Sequence, residues 1–202
     1  MSAVPPALSG KEFEALILES VARCQRYGTL CGGRYGVMVT MVDGKWLPIP
    51  SYPDFEGCLS GGRQWIVEAK TCSQSSFPMV KQSLKPKQVK HMLERSAFGA
   101  LSFLFIHFNE RRSTRINDPG ITYAIPVTSA WPRWKQFVDA YSESRKSKEP
   151  VEPQGSISRD LAHELGTVVR WICPKGSRKP LPDILNVFDP HCSILARQPE
   201  LI

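Results

Sequence analysis

Residues 53–71 run Pro53-Asp54-Phe55-Glu56-Gly57-Cys58-Leu59, then Ser60-Gly61-Gly62-Arg63, then Gln64-Trp65-Ile66-Val67-Glu68-Ala69-Lys70-Thr71. Two short runs of strand-forming residues flank a glycine-rich turn, which predicts a strand pair over 54–59 and 63–70. Residues two apart in a strand share a face. Glu68 and Lys70 therefore project together with Ile66 below them, while Trp65, Val67 and Ala69 turn the other way, into the core. Asp54 lies on the preceding strand across a short turn, so its carboxylate can reach Glu68. Glu56 points to the same side as Asp54 and reads as a solvated strand end.

Upstream, Ser9-Gly10-Lys11-Glu12 has the form of a helix capping box. Phe13, Leu16, Ile17, Val21 and Cys24 then recur at helical spacing, predicting an amphipathic helix over 9–27 that Gly28, Gly32 and Gly33 break. Asp43-Gly44 between residues 37–42 and 46–49 is a hairpin signal. Downstream, 71–83 reads as a loop, and Pro86 suits the first turn of a helix over 85–97. The apolar run Leu101 to Phe108 reads as a buried strand, 109–119 as a basic irregular loop, and Ile121 to Val127 as another strand. A helix is expected over 131–144, a linker over about 145–157, a short helix near 158–165 and a strand-like segment at Ile184 to Phe188. Strands cluster before the second helix, so the expected fold class is α/β with a mixed β-sheet flanked by helices.

The 202 residues fit one domain, with a core over about 9–128 and an extension over about 129–202. The net charge of +7 is uneven. Residues 61–128 carry 10 Lys/Arg against 4 Asp/Glu, whereas 1–60 carry 5 against 6 and 129–202 carry 11 against 9. A localised basic surface points to a polyanionic partner, of which nucleic acid is the commonest. The 6 cysteines contain no C-x-x-C pair, so free thiols are expected rather than zinc. No apolar run approaches the roughly 20 residues of a membrane helix, and the first residues lack the pattern of a signal peptide. A soluble intracellular protein is expected.

Two close carboxylates repel, which raises one pKa unless a cation neutralises them. All-oxygen ligands favour a hard divalent ion such as Mg²⁺ or Mn²⁺. Such an ion activates water and stabilises charge on a phosphoryl oxygen, and an adjacent Lys70 could orient that water. Taken together this is equipment for phosphodiester hydrolysis. An acid followed two places later by lysine is weak evidence alone. With 19 acidic residues and 12 lysines in 202 positions, about one such triplet arises by chance, and Asp43-Gly44-Lys45 is a decoy explained by turn chemistry.

The surroundings carry more weight. Pro53-Asp54-Phe55-Glu56-Gly57, Ile66-Val67-Glu68-Ala69-Lys70-Thr71, Ser76-Phe77-Pro78-Met79 and Lys87-Gln88-Val89-Lys90-His91-Met92 follow one another at close spacing. In this order they resemble the RecU family of Holliday junction resolvases, within the PD-(D/E)XK nuclease superfamily. Gly10-Lys11-Glu12-Phe13-Glu14 looks like that family's first helix. Gly155-Ser156-Ile157, Gly166 and Pro180-Leu181-Pro182-Asp183-Ile184-Leu185 look like its C-terminal pattern.

The resemblance implies a restriction-endonuclease-like core. It also implies a metal-dependent homodimeric endonuclease that resolves four-way DNA junctions by paired nicks in the cytoplasm or nucleoid of a bacterial or phage-infected cell. By position it implies that Asp54, Glu68, Glu14 and the Ala69 carbonyl hold the metal. Lys70 would assist the water, and Gln88 would support the site. The family often has a hydroxyl residue two before the aspartate, where this chain has Tyr52. The hairpin region 34–50 matches poorly the segment that forms a stalk in RecU proteins.

Lys81, Lys85, Lys87, Lys90 and Arg95 precede or occupy the second helix, and Arg111, Arg112 and Arg115 follow the buried strand. Beside a phosphodiester site they read as phosphate contacts that position DNA without reading sequence. Glu12 reads as the capping partner of Ser9, His91 as a helix-surface histidine and Phe77 as a packing residue. Trp131, Trp134, Phe137 and Tyr141 read as core or dimer interface. A less selective flap or duplex nuclease, and a non-cleaving DNA-binding recombination factor, are the alternatives.

Overall fold

The computed structural model describes residues 5–35, 39–42, 45–48, 52–79, 83–113, 116–136, 155–175, 177 and 179–189. Its elements in chain order are α1 (Gly10–Arg26), β1 (Leu30–Arg34), β2 (Val39–Val42), β3 (Lys45–Pro48), β4 (Phe55–Leu59), β5 (Gln64–Cys72), β6 (Ser76–Pro78) and α2 (Pro86–Ala97). Then follow β7 (Leu101–Phe108), β8 (Arg111–Ser113), β9 (Ile116–Asp118), β10 (Ile121–Pro126) and α3 (127–136). The last are β11 (Ser156–Ser158), α4 (Arg159–Leu165), β12 (Thr167–Val168), β13 (Trp171–Ile172), β14 (Leu181–Pro182) and α5 (Ile184–Phe188).

Six strands form the central sheet in the order β1-β4-β5-β7-β10-β12. All its pairings are antiparallel except β5 with β7, which are parallel because α2 carries the chain back between them. This is the expected mixed α/β architecture. The capping box forms as predicted: Ser9 Oγ accepts from the Glu12 N–H, and the Glu12 carboxylate accepts from the Ser9 N–H.

Both sheet faces are covered. On one, Phe13, Leu16 and Ile17 of α1 pack on Phe55, Trp65, Val67 and Ala69, joined by Trp171, Leu181, Leu185 and Phe188. On the other, Val89 and Met92 of α2 pack on Ile66, Leu104 and Ile106, with Trp134, Ile157 and Ala162 alongside. Each large apolar side chain so buried stabilises by about 1.5–3 kcal/mol. Residues 155–189 thus complete both cores: β12 adds a sheet strand and β11 pairs with β6.

Of the glycines read as breakers, Gly28 follows the α1 C-cap with a positive φ of 63°, as expected, whereas Gly32 and Gly33 belong to β1. Gly32 and Gly57 face each other across β1 and β4, under the Trp65 ring. A Cβ on Gly57 would come within 1.9 Å of the Cys31 carbonyl oxygen and 2.7 Å of Trp65 Cε2. Glycine there lets a tryptophan lie flat on the sheet. Three other expectations change. The segment 71–83 contains the short strand β6, and 109–119 contains the ribbon β8–β9. Residues 184–188 are helical, because Ile184, Leu185 and Phe188 fall on one helical face that packs against α1. The helix expected at 131 begins at 127, and its second half, like the Asp43-Gly44 turn and the 145–154 linker, lies outside the described residues. Phe77 and Trp134 are core residues, as expected.

Candidate active site

β5 carries the site through the middle of the sheet. Its pairing with β4 ends at Phe55↔Val67. Just beyond, Asp54 Oδ2 accepts from the Ala69 N–H at 2.8 Å. The Asp54 carboxylate therefore takes the ladder position that the next β4 residue would occupy. A strand residue's N–H and C=O point to the same side, so the Ala69 carbonyl is directed to that edge too. Asp54 is close enough to Glu68 for its charge to raise the Glu68 pKa, and its own backbone N–H reaches the Glu68 carboxylate.

Glu68 is fully buried. Lys70 Nζ donates to its Oε1. Gln88 Nε2 lies 3.0 Å from Oε1 and 2.9 Å from Oε2, and 3.4 Å from the Tyr52 carbonyl oxygen. Gln88 is fixed in turn because its Oε1 accepts from the Lys85 N–H at 3.1 Å, closing the first turn of α2. Burial pushes the Glu68 carboxyl up to about 7; the nearby Lys70 ammonium lowers it and Asp54 raises it. Burial alone would depress the Lys70 ammonium, but the Glu68 and Asp54 carboxylates outweigh it and raise its pKa. Lys70 therefore stays charged and acts as a donor.

Asp54, Glu68, Ala69, Lys70 and Gln88 are thus brought together. Glu14, from α1, stands near enough to favour the Lys70 ammonium, but its Oε2 is 2.5 Å from Arg34 Nη2. Among the described residues no three His, Cys, Asp or Glu side chains converge as a ready-made metal cage. The donors that do converge, two carboxylates and a carbonyl directed to one edge, are all oxygen, and one is a buried carboxylate that would gain from a cation. That chemistry suits a hard divalent ion.

His91 is more than a helix-surface histidine. Its ring meets Tyr52 edge-on at 4.9 Å, and Tyr52 stacks on Tyr35 at 4.6 Å, an aromatic row beside Gln88. Burial lowers the His91 pKa, and Arg95 lowers it further. Burial also raises the Glu56 carboxyl, which Arg95 partly offsets, so Glu56 is less solvated than a strand end.

Of the basic candidates, Lys87, Lys90 and Arg95 are exposed on α2, with Lys90 3.7 Å from Glu94. Lys85 caps α2. Arg111 pairs with Asp118 at 3.6 Å, and Arg112 pairs with Glu110, both on the ribbon that follows β7. Lys81 and Arg115 lie outside the described residues. Sequence reasoning passed over Arg34 and Tyr35. Their signal was the basic-aromatic doublet at the end of a run read as a glycine-rich break.

The site thus combines a mixed sheet with a helix layer on each face, an antiparallel strand pair feeding a parallel crossover, Asp54 at the foot of the first strand of that pair, and Glu68 and Lys70 on the second. Residues 45–142 match the family of recombination protein U, and this stretch holds Asp54, Glu68, Lys70 and Gln88. Among solved structures, the chain is similar to Hjc, a Holliday junction resolvase of the archaeal hyperthermophile Archaeoglobus fulgidus. The identity is 15% and the TM-score 0.42, over 79% of this chain and 95% of that one. No curated protein matches the chain.

Proposed function

We propose that this protein is a metal-dependent endonuclease that resolves four-way DNA junctions by paired symmetric nicks. The observation that carries it is the buried Glu68 carboxylate, gripped by Lys70 and Gln88 and set beside Asp54, in a stretch that matches the recombination protein U family. Asp54, Glu68 and the Ala69 carbonyl would hold Mg²⁺ or Mn²⁺, and Glu14 would complete the acidic set. When bound, the ion supplies Lewis-acid stabilisation of a phosphoryl oxygen and makes water more acidic.

The chain's own residues do the rest. Gln88 keeps both Glu68 oxygens aimed into the site. Lys70, held as an ammonium, donates to the attacking water and offsets negative charge that builds on the phosphorus oxygens. Lys85, Lys87, Lys90, Arg95, Arg111 and Arg112, with Lys81 and Arg115, would hold the DNA backbone. Two strands must be cut equivalently, and a two-fold dimer supplies two equivalent sites. Among the described residues no helix is long and apolar enough to cross a membrane; action at the nucleoid of a bacterial or phage-infected cell fits this reading.

The test is digestion of an end-labelled cruciform with Mg²⁺ or Mn²⁺ and with chelator, beside a linear duplex and a flap of equal length. Symmetric nicks confined to the cruciform and abolished by chelator are expected. Equal cutting of flap or duplex would replace this reading with a less selective nuclease. Junction binding without nicking in either metal would replace it with a non-cleaving recombination factor.

A further inference from the structure

The end of β1 straddles the site. The Tyr35 N–H donates to the Asp54 carbonyl at 2.9 Å, which ties this end to the Asp54 segment. Adjacent strand residues point to opposite faces. Tyr35 turns toward α2 and stacks on Tyr52, whereas Arg34 turns toward α1 and meets Glu14. A row of alternating charge results: Arg34, Glu14, Lys70, Glu68. Its inner members are largely enclosed, but the Arg34 side chain is 61% exposed.

The Arg34–Glu14 contact is close without being well made. Nη2 stands 2.5 Å from Oε2, yet no aligned hydrogen bond ends on that buried oxygen among the described residues. An arginine fork is built to grip an anion with two parallel N–H bonds. Here it meets one oxygen without an aligned hydrogen bond, and its side chain stays largely exposed to water. A phosphodiester at the carboxylate site would offer it a better partner.

We propose that Arg34 is a phosphate-positioning residue that exchanges partners, leaving Glu14 for a backbone phosphate of the bound DNA and so freeing the Glu14 carboxylate to face the site. This inference rests on the nuclease reading, since it needs DNA at the Asp54–Glu68 edge. It predicts opposite signs for two neighbouring substitutions. Removing Arg34 removes a phosphate contact. Neutralising Glu14 removes the competitor that holds Arg34 back.

The experiment measures dissociation constants for a synthetic four-way junction and an equal-length duplex, in chelator, over a salt series. Wild type, Arg34→Ala, Arg34→Lys, Glu14→Gln and the Arg34→Ala/Glu14→Gln double variant are compared. Arg34→Ala is expected to weaken binding to both DNAs by roughly 3- to 10-fold and to lower the log–log salt slope by about one, the mark of one lost phosphate contact. Arg34→Lys should keep the slope. Glu14→Gln should tighten binding by roughly 2- to 5-fold, and this gain should vanish in the double variant. An unchanged slope in Arg34→Ala would overturn the proposal. So would an equal gain from Glu14→Gln without Arg34, since that would be the generic effect of deleting one negative charge. No cleavage enters these measurements, so failure of the nuclease reading shows separately, as a wild-type protein that does not nick in Mg²⁺ or Mn²⁺.

Discussion

Two buried polar clusters sit on neighbouring strands, and they are built on opposite plans. On β7, His107 is enclosed and satisfied: its Nε2–H donates to the Pro6 carbonyl at 3.0 Å, and the Thr122 hydroxyl lies 2.8 Å from Nδ1. Trp171 Nε1 donates to the same hydroxyl at 3.0 Å. The hydrogen-bond pattern assigns the neutral Nε2–H tautomer. Burial drives the His107 pKa down to about 4. The cluster holds no charge and pins the N-terminal segment, β10 and β13 to the sheet. On β5, Glu68 is just as buried but shares its surroundings with Asp54, Lys70 and, farther out, Glu14. Its charges are crowded, and past Val67 the Asp54 carboxylate, rather than a strand, meets the β4-side edge of β5.

The difference teaches how to tell structure from function in a buried polar group. A neutral network whose every member has a partner stabilises a fold. A crowd of charges, held in place at a cost in desolvation, marks a candidate for use outside the fold.

The sharpest way to break this comparison is to remove the groups themselves. Asp54→Ala, Glu68→Ala or Lys70→Ala is expected to lower the nicking rate by roughly 10²–10³-fold or more, the scale of deleting a charge-stabilising group from a reaction centre. Junction binding in chelator should persist. Three variants that cleave like wild type would move the chemistry elsewhere. Gln88→Ala should cost less, about 10–100-fold in rate, because on the proposed reading Gln88 would orient a metal ligand rather than supply one; a metal titration at fixed DNA would show the loss as a shift to higher metal concentration.

The two clusters should also respond to pH with opposite signs. A histidine whose folded pKa is depressed contributes stability that is complete above about 6.5 and is lost as the pH falls toward about 4. The loss is about 3 kcal/mol if the whole shift is realised. Glu68 behaves in reverse. With its pKa raised from 4.5 to about 7, the folded protein binds that proton more tightly than the unfolded chain. Metal-free stability should therefore fall as the pH rises between those values. In urea unfolding between pH 4 and 7, Glu68→Gln should steepen the rise of stability with pH, and His107→Gln should expose the fall. Identical slopes in both variants would mean that the clusters do not differ as described. Added Mg²⁺ should flatten the fall only where Glu68 is present.

The smallest effect expected is at the helix cap. Ser9→Ala removes the hydroxyl that accepts from the Glu12 N–H and should cost about 1 kcal/mol. That is a thermal shift of roughly 2–4 °C for a chain of this size, with nicking unchanged.

The elements that build the site were legible because they are local. Capping box, helical spacing, glycine turn and period-two alternation all act within a few residues, and they placed α1, β4, β5, α2 and β7 where they are found. The same alternation put Glu68 and Lys70 on one face. What alternation could not show is that this face is also covered. Ile66 is core, and Glu68 is buried because α2 closes over it and delivers Gln88. Short segments were the least legible. Ile184 to Phe188 is apolar enough for either a strand or a helix, and only its fit against α1 decides. Gly32 reads as a breaker until Trp65, distant in sequence, lies over it.

Residue order alone determined which side chains can share a face and which chemistry they can carry, because those follow from backbone period and functional group. Only the tertiary structure decided that Asp54 caps the Ala69 N–H, that burial lifts the Glu68 carboxyl and that Arg34 meets Glu14. Each of these depends on groups brought together across the sheet, and on water being displaced between them.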